Sequence, residues 1–250
     1  MYKKLLLLVA VMFCCTGFKL PNIDVDKALD AAGDAYKAAT LTDEDIRRLG
    51  KESADEMDKL NKVASSSNPY GQRLATLVKG LEKEDGLKLN FKVYLVRDVN
   101  AFALPDGSVR VFAGLMDIMT DEELFFVIGH EIGHVKNGDS MDAYRVAYSA
   151  SAARKGASAA GGAAAQLSAS QLGEIGEAVL NAQFSQSQES ASDVYGFNLM
   201  KKYKKDTASA VSALQKLASP GQAAGTLESL LSSHPEPGKR AAKLEAMSKK

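Results

Sequence analysis

"VIGHEIGHVKNG", residues Val127 to Gly138, places two histidines four positions apart, with a glutamate directly after the first. On an α-helix, residues four apart project from the same side, one turn along the axis. His130 and His134 can therefore bind one metal ion. Glu131 lies about 100° further around the helix, where it can reach a water beside the ion but not bind the ion itself. The stretch predicts a metal-binding helix that also carries a base.

This pattern indicates hydrolytic zinc chemistry. Zinc lowers the pKa of a bound water to about 7, and a nearby carboxylate takes the proton as that water attacks a carbonyl. The alternative is a helix that carries two histidines by chance. It fits poorly, because the preceding "LFFVIG" is strongly apolar and predicts a buried helix, where unpartnered imidazoles are costly. Gly133 costs about 1 kcal/mol inside a helix and is explained if another segment approaches its backbone.

A third metal ligand is expected on a later helix. No cysteine follows Cys15 and one histidine remains, so the ligand is expected to be a carboxylate. "NAQFSQSQESASDVYGFNLM" offers Glu189 and Asp193, four apart on one face. Glu189 would bind the ion, and Asp193 would accept the free N–H of a coordinating histidine. By spacing alone, an exposed helix face is an equally good interpretation, because Glu189 is flanked by Ser and Gln.

Two motifs in this order resemble those of a known family. "GHEIGH", followed about fifty residues later by "FSQSQESASDVYG", is similar to the gluzincin metallopeptidases that include the CAAX prenyl protease and HtpX. The resemblance covers about residues 42–246 and is closest to the soluble lipoprotein members. It implies one Zn²⁺ per chain held by His130, His134 and Glu189, with Glu131 as general base and Asp193 supporting a histidine ligand.

The same resemblance extends to "SSHPEPGKR" and to "NAFALPDGSVRVFAG". It implies that His234 lies near the cleft and helps to hold the oxyanion, with Arg240 placing its loop. The alternative for His234 is a surface histidine before a proline. "NAFA" would form the upper rim of the cleft and pair with an extended peptide. This substrate strand comprises Asn100, Ala101, Phe102 and Ala103. Phe102 is equally well explained as a core residue.

Binding dominated by backbone pairing predicts an endopeptidase of modest selectivity. Its substrates would be misfolded or unstructured polypeptides of the cell envelope, cleaved beside apolar or aromatic residues. A zinc-stabilised envelope chaperone that binds proteins without cutting them is an alternative. A metal hydrolase acting on a non-peptide bond is a further alternative, disfavoured by the strand that is expected to pair with a peptide.

The N-terminus predicts export. "MYKK" is a basic start, and the apolar run "LLLLVAVMF" of nine residues is too short to span a bilayer as a mature helix. Cys14 and Cys15 follow, as in a lipoprotein signal, although Phe13 stands where such signals usually have Gly or Ala. We expect a signal in residues 1–15 and a metallopeptidase domain in 24–250. The protein would then be periplasmic and lipid-anchored to a membrane, the outer one if the cell is Gram-negative.

Composition sets the remaining limits. The chain has 250 residues, 46% hydrophobic and 25% charged, which is enough to bury one substantial core. Lys+Arg and Asp+Glu both total 31, and this balance gives no reason to expect a nucleic-acid partner. The order of helices, then a small sheet, then helices predicts an α+β fold that is mainly helical.

Several boundaries can be predicted as well. Thr42 and Thr120 are expected to cap helices, and Gly138 to end the metal-binding helix. Helices are expected over residues 70–86 and 173–202, and a strand over 91–98. The Ala/Ser/Gly-rich segment 143–173 is interpreted as a linker or a closely packed helix, with a flap beside the cleft as the alternative.

Overall fold

The structure, a computed structural model, describes residues 41–154, 167–219 and 227–248. The predicted export signal, with Cys14 and Cys15, lies outside the described residues. So do residues 24–40 of the expected metallopeptidase domain and residues 155–166 of the Ala/Ser/Gly-rich segment. No helix in the described ranges is both long and apolar enough to cross a bilayer.

The described residues form a mainly helical fold with one small sheet, which confirms the predicted class. The helices are α1 (Asp43–Leu60), α2 (Pro69–Leu77), α3 (Ala113–Ile118), α4 (Asp121–Asn137), α5 (Asp139–Arg154), α6 (Ala169–Leu180), α7 (Gln186–Lys202), α8 (Ala208–Ala218), α9 (Glu228–Ser233) and α10 (Pro237–Ser248). The strands are β1 (Asn90–Tyr94), β2 (Ala101–Ala103) and β3 (Ser108–Phe112). The sheet order is β1-β3-β2, with β1 parallel and β2 antiparallel to β3.

The β2–β3 hairpin turns at Pro105, Asp106 and Gly107. Gly107 has a φ of 92°, which only glycine adopts readily, and Asp106 accepts hydrogen bonds from the backbone and side chain of Ser108. β2 is an edge strand, in agreement with the proline that follows it.

Helix caps follow the local sequence closely. Thr42 and Thr120 each form a capping box with the residue three positions later, Asp45 and Glu123. Gly138 ends α4 in the left-handed conformation, with a φ of 85°. The ends of the metal-binding helix were therefore predictable from its own sequence.

Three predicted boundaries are wrong. The helix predicted over 70–86 ends at Leu77, and Gly80, with a φ of 93°, is incompatible with its continuation. The strand predicted over 91–98 ends at Tyr94, because the next backbone N–H donates to Lys62 instead of the sheet. The helix predicted over 173–202 is two helices, since Ser185 caps a new helix and forms a capping box with Gln188.

α4 runs through the main core and packs along α7. All its residues from Glu123 to His134 are buried. A Cβ atom on Gly133 would lie 2.9 Å from the Cα of Ser192, and one on Gly129 would lie 3.0 Å from the Cα of Gly196. Glycine lets the two helix backbones approach at these points, which is the reason anticipated for Gly133.

A second core lies under α1, α5 and α6. The rings of Tyr94, Phe102 and Phe112 meet there, with centroids 5.8–6.3 Å apart. The ring of Phe102 therefore belongs to this core, which is one of the two interpretations its position allowed.

Candidate metal centre

Four buried side chains converge between α4, α7 and the end of α9. His130, His134, Glu189 and His234 each offer a nitrogen or oxygen atom, and these atoms all lie within 4.8 Å of one another. α4 supplies two of the residues and α7 supplies Glu189 in its first turn, while His234 directly follows α9. The three residues predicted to bind the ion are thus brought together.

The spacing of the donor atoms suits one small cation. The two Nε2 atoms of His130 and His134 are 3.0 Å apart, and His134 Nε2 is 3.3 Å from Glu189 Oε1. A tetrahedral zinc ion with bonds of about 2.0–2.1 Å separates its ligand atoms by about 3.3 Å. Two imidazole nitrogens and a carboxylate oxygen, with no thiolate, are a donor set that zinc accepts.

Two carboxylates orient the imidazole rings. His130 Nδ1–H donates to Asp193 Oδ1 (3.0 Å), and His134 Nδ1–H donates to Asp139 Oδ2 (2.9 Å). Each bond leaves the Nε2 atom of that ring facing the shared centre. Asp193 lies where it was predicted. Asp139 was not predicted, although the sequence places its carboxylate directly after the glycine that ends the metal-binding helix.

Arg240 holds the two acidic residues of α7. Its guanidinium donates to both carboxylate oxygens of Asp193, at 2.8 and 2.6 Å, and contacts Glu189 Oε2. The prediction gave Arg240 the task of placing the His234 loop. The described contacts tie it to these two carboxylates and so fix the position of Glu189 relative to α10, while its task at the His234 loop stays a prediction.

The electrostatics of the group favour a cation at its centre. Burial lowers the pKa of His130. Burial also acts to lower the pKa of His134, but Asp139 and Glu189 outweigh it and raise that pKa to about 9. Burial would raise the pKa of Glu189, yet the three histidines hold it well below its usual range. The raised pKa means that His134 readily holds a proton beside Glu189, and a metal ion bound at this centre would replace that proton.

Glu131 and His234 face each other beside this group. Glu131 is buried, and its Oε1 lies 3.7 Å from His234 Nε2. His234 Nδ1 lies 2.9 Å from Glu189 Oε1 and 3.3 Å from His130 Nε2. His234 is therefore near the predicted cleft, and it is also within reach of the donor atoms, which its sequence position did not indicate.

Phe184 covers one side of the group and was not predicted. Its ring stacks on His134 with centroids 4.0 Å apart and an angle of 18° between the planes. Its backbone N–H donates to the carbonyl of Ser233 (3.2 Å). The segment before α7 is thereby linked to the segment that carries His234. No local sequence signal marks Phe184 for this place.

The predicted substrate strand lies beside the metal-binding helix. β2 contacts α4, and Asn100 directly precedes the strand. Backbone hydrogen bonds pair Asn100 with Phe112 and Leu104 with Ser108, so Ala101 and Ala103 direct their backbone groups away from β3. The residues from Asn100 to Ala103 are only 1–5% exposed. The outer edge of β2 therefore directs backbone groups toward a place where another strand could pair, but these residues are buried.

Comparison with known proteins identifies the family. Residues 71–248 match the sequence profile of peptidase family M48. The chain belongs to this family. Membership confirms the resemblance seen in the motifs, and it makes the chain a zinc metallopeptidase. The buried group of histidines and a glutamate fits the metal that family M48 implies.

Two bacterial relatives match along most of their length. The chain is 43% identical to the metalloprotease YcaL of Escherichia coli over 221 residues, which are 88% of this chain and 86% of that protein. It is 37% identical to the metalloprotease LoiP of the same organism over 240 residues, or 96% of this chain and 94% of that protein. A shorter match, 33% over 98 residues, is to the protease HtpX of Chromohalobacter salexigens and covers 37% of this chain and 33% of that protein.

Proposed function

We propose that this M48 peptidase is a zinc endopeptidase of the bacterial cell envelope that hydrolyses misfolded or unstructured polypeptides. The peptidase activity in this proposal is supported by the convergence of His130, His134 and Glu189 in a buried site, with Glu131 beside them. The envelope location rests on the basic start, the apolar run and the two cysteines of residues 1–15. Unfolded substrates fit a site that an extended chain enters through backbone pairing.

His130, His134 and Glu189 would hold the zinc ion. When bound, zinc polarises the scissile carbonyl and makes water a stronger acid. Asp193 and Asp139 hold the two imidazoles in the tautomer whose Nε2 atoms are free to bind. Arg240 keeps Glu189 in place through its ion contacts with both acidic residues of α7.

Glu131 acts as the general base. Its carboxylate accepts a proton from the attacking water and then passes that proton to the nitrogen of the leaving amine. Its position on α4 directly after His130 keeps it beside the metal ligands, as the helical spacing requires. Burial of the carboxylate excludes bulk water from the proton transfer.

His234 has two candidate roles, and the contacts support both. An imidazole 3.7 Å from Glu131 is near enough to the reacting atoms to stabilise an oxyanion. An imidazole whose Nδ1 lies 3.3 Å from His130 Nε2 could also bind the ion. The variant His234→Phe separates the roles. The oxyanion role predicts a large fall in kcat with zinc content retained, whereas the ligand role predicts weaker zinc binding.

The outer edge of β2 is proposed to pair with substrate through Ala101 and Ala103. Because these residues are nearly inaccessible, a peptide can pair only after the groups that cover this edge move aside. Proline substituted at Ala103 removes one outward N–H and is expected to raise KM. The same substitution at Asp43, the first residue of α1, is a control because an N–H in that position has no partner within the helix.

The decisive experiment for the function compares wild type with Glu131→Gln in a casein assay, with zinc measured in both proteins. An endopeptidase predicts cleavage by wild type alone and equal zinc in the two. The competing chaperone function predicts that unfolded casein binds to both proteins and stays intact.

The proposed lipid anchor is tested separately. Cells that express the full chain are labelled with a palmitate analogue, and Cys14→Ser and Cys15→Ser show which cysteine carries the label. A processed protein without label contradicts the anchor and leaves the peptidase untouched.

A further inference from the structure

A phenyl ring lies flat against one imidazole of the metal centre. Phe184 belongs to the segment between α6 and α7 and is buried. Its ring plane makes an angle of only 18° with that of His134, and the two centroids are 4.0 Å apart. His134 also meets the rings of His130 and His234, but at 87° and 44°. Of these three neighbouring rings, Phe184 is the one that lies parallel to the face of His134.

Hydrogen bonds alone do not fix the plane of this imidazole. His134 Nδ1 lies 2.9 Å from Asp139 Oδ2 and 3.1 Å from Ser192 Oγ. Both contacts are made at one ring atom, so they hold that atom in place but allow the ring to tilt about it. The torsion that tilts a histidine ring has broad minima. A flat surface against the ring face restrains this torsion, and Phe184 supplies such a surface.

The two imidazoles of α4 are supported differently. Asp193, which orients His130, is itself held by two hydrogen bonds from Arg240. Asp139, which orients His134, forms no ion pair with a lysine or arginine in the described parts of the chain. The carboxylate at His134 is therefore less constrained than the one at His130. The orientation of His134 depends correspondingly more on the ring that stacks on it.

We propose that Phe184 is a positioning residue for the zinc site. It sets the plane of His134 and thereby the direction in which Nε2 of that ring faces the shared centre. The proposal rests on the proposed role of His134 as a zinc ligand. Aromatic character is essential to it, because an aliphatic side chain can fill much of the same space but offers no flat face.

The test compares two substitutions at Phe184. Phe184→Leu keeps an apolar side chain and removes the ring, whereas Phe184→Tyr keeps the ring. Both retain the backbone N–H that donates to the carbonyl of Ser233, so the link to the segment of His234 is unchanged. Zinc affinity is measured by chelator competition. The absorption spectrum of the Co²⁺-loaded protein reports the geometry of the ligands.

Phe184→Leu is expected to raise the Kd for zinc about 3- to 10-fold, because a stacked ring contributes less than an orienting hydrogen bond. It should also alter the Co²⁺ spectrum, since His134 can then tilt. Phe184→Tyr should have the Kd and the spectrum of wild type.

Phe91→Leu is the matched control. Phe91 is half-buried in β1 against the main core, and no ring contact in the described ranges joins it to a histidine. This variant should lower the Tm of the zinc-free protein and leave the Kd for zinc unchanged. An effect confined to Phe184→Leu therefore separates positioning from a general loss of stability.

The zinc-free protein gives a second readout that depends on neither the metal nor catalysis. A ring stacked on His134 shields the protons of that imidazole, so their NMR signals should lie upfield of those in Phe184→Leu. The chain has only three histidines, which makes assignment by substitution practicable. Equal signals in the two proteins would contradict the stacking.

Several results of the zinc measurements would overturn the proposal. They are a wild-type Kd and Co²⁺ spectrum in Phe184→Leu, an equal loss of affinity in Phe184→Leu and Phe184→Tyr, or the same loss in Phe91→Leu. Wild type that binds no zinc contradicts the zinc site itself. The NMR comparison then still decides whether Phe184 sets the plane of His134.

Discussion

The close contact between α4 and α7 at Gly133 makes a quantitative prediction. A Cβ atom there would lie 2.9 Å from the Cα, 3.1 Å from the Cβ and 3.2 Å from the carbonyl oxygen of Ser192. Ordinary contacts at such a site are 3.4–4 Å. In Gly133→Ala the two backbones must therefore separate by about 0.5–1 Å, because a backbone atom cannot rotate away as a flexible side chain can.

This separation should affect metal binding more than folding. Glu189 lies one turn before Ser192, so it moves with α7, whereas His130 and His134 move with α4. Metal sites keep ligand distances to within about 0.2 Å, so a shift of this size should weaken zinc affinity about 10- to 100-fold. The overlap costs about 1–3 kcal/mol, and alanine returns about 1 kcal/mol of helix propensity. The net loss of folding stability should be about 0–2 kcal/mol.

Gly173→Ala is the matched control. Gly173 also lies within a helix, α6, but its added Cβ would meet only the flexible end of Leu60, at 3.4 Å. This variant should gain up to about 1 kcal/mol, or about 2–4 °C in Tm, and bind zinc as wild type does. The assay is chelator competition for zinc, with thermal unfolding of the zinc-free protein. Gly133→Ala with the zinc affinity of wild type and the stability gain of Gly173→Ala would refute the reasoning.

Three further predictions concern the supports of the site and the fold. Asp139→Asn should weaken zinc affinity about 10- to 100-fold in chelator competition, since His134 loses its orienting carboxylate, and unchanged affinity would speak against that role. Removal of zinc with EDTA should lower the Tm, because an ion present at 1,000 times its Kd stabilises the folded chain by about 4 kcal/mol; an unmoved Tm argues against a bound ion. Asp58→Asn should cost about 3–5 kcal/mol in urea unfolding at pH 7, because it strands the buried guanidinium of Arg110. Burial acts to raise the pKa of Asp58, but the hydrogen bonds from Arg110 and Lys92 outweigh burial and lower that pKa below its usual value of about 4. The stability that Asp58 contributes is therefore complete above about pH 4 and is lost as the pH falls through the pKa of the folded state. A difference between wild type and variant that is as large at pH 2 as at pH 7 would contradict the assignment.

The metal-binding helix could be predicted in full because its information is local. The capping box at Thr120, the apolar run and the left-handed Gly138 all lie within or next to α4. The helical period then fixes how His130 and His134 project. The start of α7 could also have been predicted from the local sequence, because Ser185 and Gln188 form a capping box. It was not predicted, because one longer helix was expected across this segment.

The rest of the site depends on contacts distant in sequence. His234 is 104 positions from His130, and Phe184 reaches His134 only because α7 packs on α4. No local pattern reports either contact. Arg240 was expected near the His234 loop, and its ion contacts with α7 become visible only once α10 is placed. The end of β1 has the same kind of cause, a backbone bond to the segment after α1.

The central claim is that one zinc ion is bound between α4 and α7. The most direct measurement is a crystal structure of the zinc-loaded protein, with an anomalous difference map collected at the zinc absorption edge. We expect one peak about 2.0–2.2 Å from His130 Nε2, from His134 Nε2 and from a carboxylate oxygen of Glu189. A peak elsewhere, or one that Glu189 does not contact, would contradict the account.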